Sequence, residues 1–214
     1  MQESFIAAIQ KGEIETVKNF LEQDASLSET MTDQGISVLL LAAYMRNQPM
    51  VDILLSYRTD LTIFEAAATG QRDVFQYQIN KAPKRINEWS PDGFTLIGLA
   101  SFFGKKEIVE MLLERNADTN IPSNNDFKVM PLHSAAAVGQ YEIAQLLIKH
   151  GAKINAVQMN GVTPLHSAAN NGSVNLVKLF LEHGANKNLR MKDGKLPIDL
   201  AKAKGFDEVV LLLE

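Results

Sequence analysis

The apolar positions between Thr163 and Gly184 change rhythm once, and the change predicts two short helices. Leu165, Ala168 and Ala169 outline a first helix whose small-residue face lets a neighbour approach closely. Thr163 is a good N-cap for it, and Pro164 stands at the first helical position, where a missing N–H costs nothing. Gly172 permits a tight turn. Val174, Leu176, Val177, Phe180 and Leu181 then mark the apolar stripe of a second helix at the 3.6 period, with Lys178 and Glu182 between them. Gly184 takes the left-handed position past the helix end, and residues 186–193 lead onward as a hairpin-like loop ending in Asp-Gly.

The unit recurs. Met130-Pro-Leu-His-Ser-Ala-Ala-Ala-Val-Gly139 lies upstream and Leu196-Pro-Ile-Asp-Leu-Ala-Lys-Ala-Lys-Gly205 downstream, so Met130, Thr163 and Leu196 are spaced by 33 residues each time. A fixed period of this size is the signature of stacked repeats, each burying its apolar face on its neighbours. Degenerate copies open at Thr95 and, 34 residues earlier, at Leu61. In the Thr95 copy Asn116 replaces the usual terminal glycine, which suits the tolerance of Asn for left-handed geometry. Only 24 residues separate Ser37 from Leu61, so the unit that opens at Ser37 is expected to have lost most of its hairpin.

The segments Thr-Pro-Leu-His-Ser-Ala-Ala from Thr163 and Leu-Glu-His-Gly-Ala-Asn from Leu181 closely resemble the ankyrin repeat in period, motif order and glycine positions. The resemblance implies an all-α solenoid of about seven helix pairs joined by β-hairpin-like loops, forming one elongated domain over residues 1–214. Its units are expected at 3–36 (a polar cap), 37–60 (short loop), 61–94, 95–129, 130–162, 163–195 and 196–214 (the second cap).

Charge and composition remove several function classes. The formal net charge of −4 has no basic block of the kind that displaces counterions from nucleic acid, so nucleic acid is not expected as a partner. With no cysteine there is no disulfide framework, thiol nucleophile or zinc–thiolate site, and a reducing, cytoplasmic setting fits best. The longest apolar run, from Val38 to Met45, falls well short of a membrane span, and the first ten residues lack a signal-peptide pattern.

Candidate chemistry is sparse. His133 and His166 fill the same slot of successive repeats, where the resemblance implies hydrogen bonds from hairpin to helix. His150 and His183 stand at second-helix C-termini, a favourable place for a donor. Gly98-Leu-Ala-Ser-Phe-Phe-Gly-Lys-Lys106 fails as a phosphate loop: five residues separate the glycines, and Lys106 stands where Ser or Thr must be. No catalytic, cofactor or metal residues are expected, the chain is read as a binding protein and not an enzyme, and the short loop near Arg58 and Asp60 is the place where a polar cluster would reopen that question.

What remains is surface. In the resemblance, the two residues after the Ala-Ala pair point toward the concave face. Here they are Tyr44 and Met45, Ala68 and Thr69, Phe102 and Phe103, Ala137 and Val138, and Asn170 and Asn171. With Trp89 and Phe94 of the preceding hairpin, Tyr44, Met45, Phe102, Phe103, Val138, Asn170 and Asn171 form the candidate site for a protein partner, because large aromatics dominate binding energy at interfaces. Either Phe102 or Phe103 could instead turn inward over Gly98. A monomeric adaptor is the leading expectation. The alternatives are a homodimer closed by the same patch and, behind it, an inhibitor or positioning subunit of an enzyme. Loop asparagines such as Asn155 resemble positions that are hydroxylated in animal ankyrin repeats.

Overall fold

The structure, a computed structural model, describes residues 1–214: fourteen α-helices, three short 3-10 turns and no sheet. The helices fall into seven consecutive pairs, and the chain divides into two compact units, Met1–Lys81 and Ala82–Glu214.

The first unit holds α1 (Gln2–Lys11), α2 (Ile14–Gln23), α3 (Val38–Tyr44), α4 (Gln48–Ser56), α5 (Ile63–Thr69) and α6 (Arg72–Lys81). Its core is built from Phe5, Ile9, Val17, Leu21, Leu39, Met50, Leu54, Ile63, Phe75 and Ile79, all buried. Phe20 packs edge-on against Phe5 with ring centroids 5.9 Å apart. One hairpin, closed by the Thr32 amide on the Ile36 carbonyl (2.8 Å), leads into α3.

No hairpin stands between α4 and α5, as the 24-residue spacing predicts. An ion pair takes over its bracing. Arg58 donates from Nη1 to the Ser28 carbonyl (2.9 Å), from Nε to the Asp60 carbonyl (3.1 Å) and from Nη2 to Glu65 Oε2 (2.9 Å). The same Glu65 oxygen accepts the Thr62 amide (2.8 Å) and Thr62 Oγ1 accepts the Glu65 amide (3.2 Å), a capping box that starts α5. Arg58 thus ties the 3-10 turn before α3 to the start of α5.

The second unit holds α7 (Leu96–Phe102), α8 (Lys106–Glu114), α9 (Pro131–Ala137), α10 (Tyr141–Lys149), α11 (Pro164–Asn170), α12 (Val174–Glu182), α13 (Pro197–Lys204) and α14 (Asp207–Leu213). The small residues of its first helices (Ala100, Ala135, Ala136, Ala168, Ala169, Ala201) are buried, and α7, α9, α11 and α13 pack in sequence on that face. The stripe expected of α12 is present at Leu176, Val177 and Phe180, with Leu179 buried as well, whereas Val174 and Leu181 are only half-buried. Ala68, expected toward the concave face, is buried too.

Left-handed residues mark the turns. Asn116 takes φ 59° in place of a terminal glycine, and Arg46 takes φ 55° between α3 and α4, where the corresponding turns of other pairs carry Gly70, Gly139 or Gly172. Gly172 is needed for a second reason: a Cβ there would stand 2.8 Å from the ring of Phe206.

Candidate protein-binding surface

The predicted site residues occupy two recurring places, the C-terminal end of a first helix and the hairpin before it. In the first unit, Tyr44 is the last residue of α3 and half-buried, and Met45 caps the helix and is exposed. In the second unit, Phe102 ends α7 and Phe103 caps it, Val138 caps α9, and Asn170 ends α11 with Asn171 as its cap. Neither Phe102 nor Phe103 enters the core: both are half-buried, their rings edge-to-face with centroids 5.2 Å apart. An edge-to-face pair is a favoured aromatic geometry and holds both rings in place.

Trp89 and Phe94 stand on the two legs of the hairpin before α7. Trp89 bridges Thr95, and the Ser90 amide donates to the Phe94 carbonyl (2.8 Å). The indole N–H of Trp89 donates to the Pro122 carbonyl of the next hairpin (3.0 Å), while the side chain stays 46% exposed. Phe94 is half-buried. The seven residues of α7, about 10 Å of helix, separate this pair from Phe102 and Phe103. The aromatics of this repeat thus stand at the two ends of α7, and only Phe102 and Phe103 form a ring pair.

Asn171 has a local task. Its Nδ2 donates to the Ala137 carbonyl (2.9 Å) and reaches that of Ala136 (3.4 Å), covering carbonyls that the end of α9 leaves open. Loop asparagines brace successive hairpins in the same way. Asn120 accepts the Lys153 amide and donates to the Gly151 carbonyl, and Asn155 accepts the Asn186 amide (2.8 Å) and donates to the Gly184 carbonyl (3.0 Å).

The histidines are bound to backbone. His133 Nε2 lies 3.0 Å from the Ala156 carbonyl and 3.2 Å from that of Val162, and His166 Nε2 lies 3.3 Å from the Lys195 carbonyl. Nε2 is therefore the donor, and Nδ1 accepts from the helix start, at Met130 N and Thr163 N respectively. Burial pushes the His133 imidazole down to about 4, against the raising effect of its two carbonyl partners. It lowers His166 as well, opposed by the Lys195 carbonyl and the nearby Asp193 charge. His150 and His183 each place Nδ1 2.8 Å from a carbonyl of their own helix, Leu146 and Leu179, at the C-terminus.

Sequence reasoning missed a further set of exposed apolar side chains on the hairpins of the second unit: Phe127 (53%), Val157 (55%) and Met159 (40%). The signal was their place between turn residues such as Asn125-Asp126 and Asn160-Gly161, where no packed partner is available.

Two descriptions of one family match the chain, "Ankyrin repeats (3 copies)" over residues 63–158 and "Ankyrin repeats (many copies)" over residues 155–201. The chain belongs to the ankyrin repeat family. Ankyrin repeats are protein–protein interaction modules, which agrees with a surface of half-exposed aromatics on braced hairpins. Among relatives, the chain is similar to the ankyrin repeat protein nuc-2 of Neurospora crassa, at 32% identity over 72% of this chain and 15% of that one. It is similar to the human transient receptor potential cation channel subfamily A member 1, at 26% identity over 71% of this chain and 15% of the channel. It also resembles the mouse RelA-associated inhibitor, at 31% identity over 46% of this chain and 12% of that protein. The chain therefore spans about 15% or less of the length of these relatives. No helix is long and apolar enough to cross a membrane.

Proposed function

We propose that this ankyrin repeat chain is the recognition part of a cytoplasmic adaptor or regulatory protein, holding a folded domain or peptide segment of a partner on the face made by its first-helix ends and hairpins. In the second unit the anchors are Trp89 and Phe94 on the hairpin and Phe102 and Phe103 at the end of α7, with Val138 and Asn170 and Asn171 along the same row. Tyr44 and Met45 hold the same position in their own repeat. The observation that carries the reading is Trp89, a large aromatic fixed by its indole hydrogen bond and still almost half exposed. Rigid aromatics bind at small entropic cost, because little side-chain freedom is left to lose. Similarity to a protein named as an inhibitor supports a regulatory role over catalysis by the chain itself.

The test is affinity capture of partners with wild-type chain beside the Trp89→Ala, Phe102→Ala double variant, followed by titration of the captured partner. The variant is expected to bind at least thirtyfold more weakly, about 2 kcal/mol. Equal binding by both would remove these residues from the site. Light scattering on the purified chain separates an adaptor that is monomeric from a dimer that closes on the same aromatics.

A further inference from the structure

The hairpins of the second unit form a surface of a different character from the first-helix ends. Their tips are tied in order by backbone hydrogen bonds: Asn124 N to Gly93 O (2.7 Å), Met159 N to Phe127 O (2.9 Å) and Lys192 N to Asn160 O (2.8 Å). Consecutive tips therefore lie side by side, and Phe127 and Met159, both exposed, are neighbours across one of these bonds. Below the tips, the Asn120 and Asn155 amides clamp each hairpin to the next. The ridge is fixed before any partner arrives.

Charge is sorted across this unit. The connecting segment 115–130, which carries Phe127, is balanced, with Arg115 and Lys128 against Asp118 and Asp126, whereas segments 150–163 and 183–196 carry Lys153, Lys187, Arg190, Lys192 and Lys195 against the single carboxylate of Asp193. Asp193 is engaged by Lys195 at 2.8 Å, and none of the other four cations has a carboxylate partner. The second helices α8, α10, α12 and α14 have the opposite balance, with seven carboxylates against three lysines. In a chain of net charge −4, the last two hairpins of the ridge are thus basic, and the exposed Phe127 and Met159 lie at the edge of that basic strip.

We propose that this ridge, with Phe127, Met159 and Lys192 at its tips and Lys153 below them, docks an acidic segment of a partner protein that also carries apolar side chains. The carboxylates would meet the uncompensated lysines, and the apolar residues would cover Phe127 and Met159. This chemistry favours a peptide over nucleic acid: along the basic hairpins the exposed apolar side chains are the aliphatic Val157 and Met159, which offer bases no stacking platform. The proposal rests on the reading of the chain as a protein-binding module, but it uses residues that the aromatic site does not.

The test is fluorescence anisotropy with a labelled synthetic peptide in which Glu and Asp alternate with Leu and Phe. It is compared with the same peptide bearing Gln and Asn in place of the acids, and with single-stranded oligothymidine. Wild type is expected to bind the acidic peptide at least tenfold more tightly than its neutral analogue, and to weaken as salt rises. Lys153→Glu, Lys192→Glu should abolish that preference, Phe127→Ser, Met159→Ser should weaken binding about tenfold, and Phe102→Ala, Phe103→Ala, which leaves the hairpins untouched, should leave it unchanged. Equal affinity for both peptides, tighter binding of oligothymidine, no binding, or indifference to the tip variants would each overturn the proposal. Loss of binding only in the Phe102, Phe103 variant would overturn it while leaving the aromatic site standing.

Discussion

Arg58 meets Glu65 at 2.9 Å with the two side chains only 8% and 1% exposed, which makes them the one ion pair of the structure withdrawn from water. Taking two charges out of solvent is costly, and here the cost is partly offset by three further hydrogen bonds, two from Arg58 to carbonyls and one to Glu65 Oε2 from the Thr62 amide, while the buried Oε1 of Glu65 accepts none. The pair sits where the repeat lacks its hairpin, so these side-chain bonds replace backbone bonds that a hairpin would supply.

Removing one partner should therefore cost far more than removing both. Arg58→Ala leaves Glu65 buried and unpaired and is expected to lose about 3–5 kcal/mol, whereas Arg58→Met with Glu65→Leu should lose much less. Urea unfolding of the two singles and the double gives the coupling directly. Costs that simply add would mean that the two side chains act independently.

Acid should weaken the fold through the hairpin histidines. The folded chain holds His133 neutral down to about 4, whereas an unfolded chain protonates it near 6.5, so protons bind the unfolded state more tightly. The full stability is present above pH 6.5, is lost as pH falls through the interval, and stops falling on this account below about 4. The gap corresponds to about 3 kcal/mol at its full extent, and His166 acts in the same direction. Urea midpoints measured from pH 7.5 to 4 in wild type and His133→Gln should show a shallower slope in the variant. Parallel slopes would refute the assignment.

The two left-handed turns at Arg46 and Gly172 should respond in opposite ways. Arg46 holds φ 55° at a cost that glycine would not bear, so Arg46→Gly is expected to stabilise by up to about 1 kcal/mol. Gly172 combines φ 65° with the Phe206 ring at 2.8 Å from any added Cβ, so Gly172→Ala strains the backbone and displaces the ring, with an expected cost of about 2 kcal/mol or more. Thermal unfolding of both variants decides the signs.

The fold was legible because the regular repeats state their plan locally: a proline at the first helical position (Pro131, Pro164, Pro197), a small-residue face and a glycine at the turn between the two helices (Gly139, Gly172, Gly205). The 33-residue spacing predicted the regular pairs, and the contraction between Ser37 and Leu61 predicted the missing hairpin. What replaced that hairpin was not legible, because Arg58 reaches the Ser28 carbonyl thirty residues away, and nothing in local pattern fixes such a contact. The surface was harder still. Exposure depends on whether another element covers a residue, so Phe102 and Phe103 could be placed at the end of a helix but not assigned inward or outward, and nothing in local pattern marks Phe127 and Met159 as exposed.

Trp89 offers a direct optical reading of the proposed partner site, because it is the only tryptophan of the chain. Its indole donates to the Pro122 carbonyl while much of the ring remains in water, so emission from the free protein should be that of a half-solvated indole. Trp89→Phe keeps most of the apolar surface but removes the donor, leaving the carbonyl to water, and should cost about 0.5–1.5 kcal/mol of stability. A partner seated on the hairpin and α7 end would desolvate the ring and shift its emission to shorter wavelength, with the shift saturating at the same concentration as binding. In Phe102→Ala the shift should need more partner, because part of the apolar contact is gone. A partner that binds without moving the emission contacts the chain elsewhere, and the acidic peptide on the Phe127 and Met159 ridge is expected to do so.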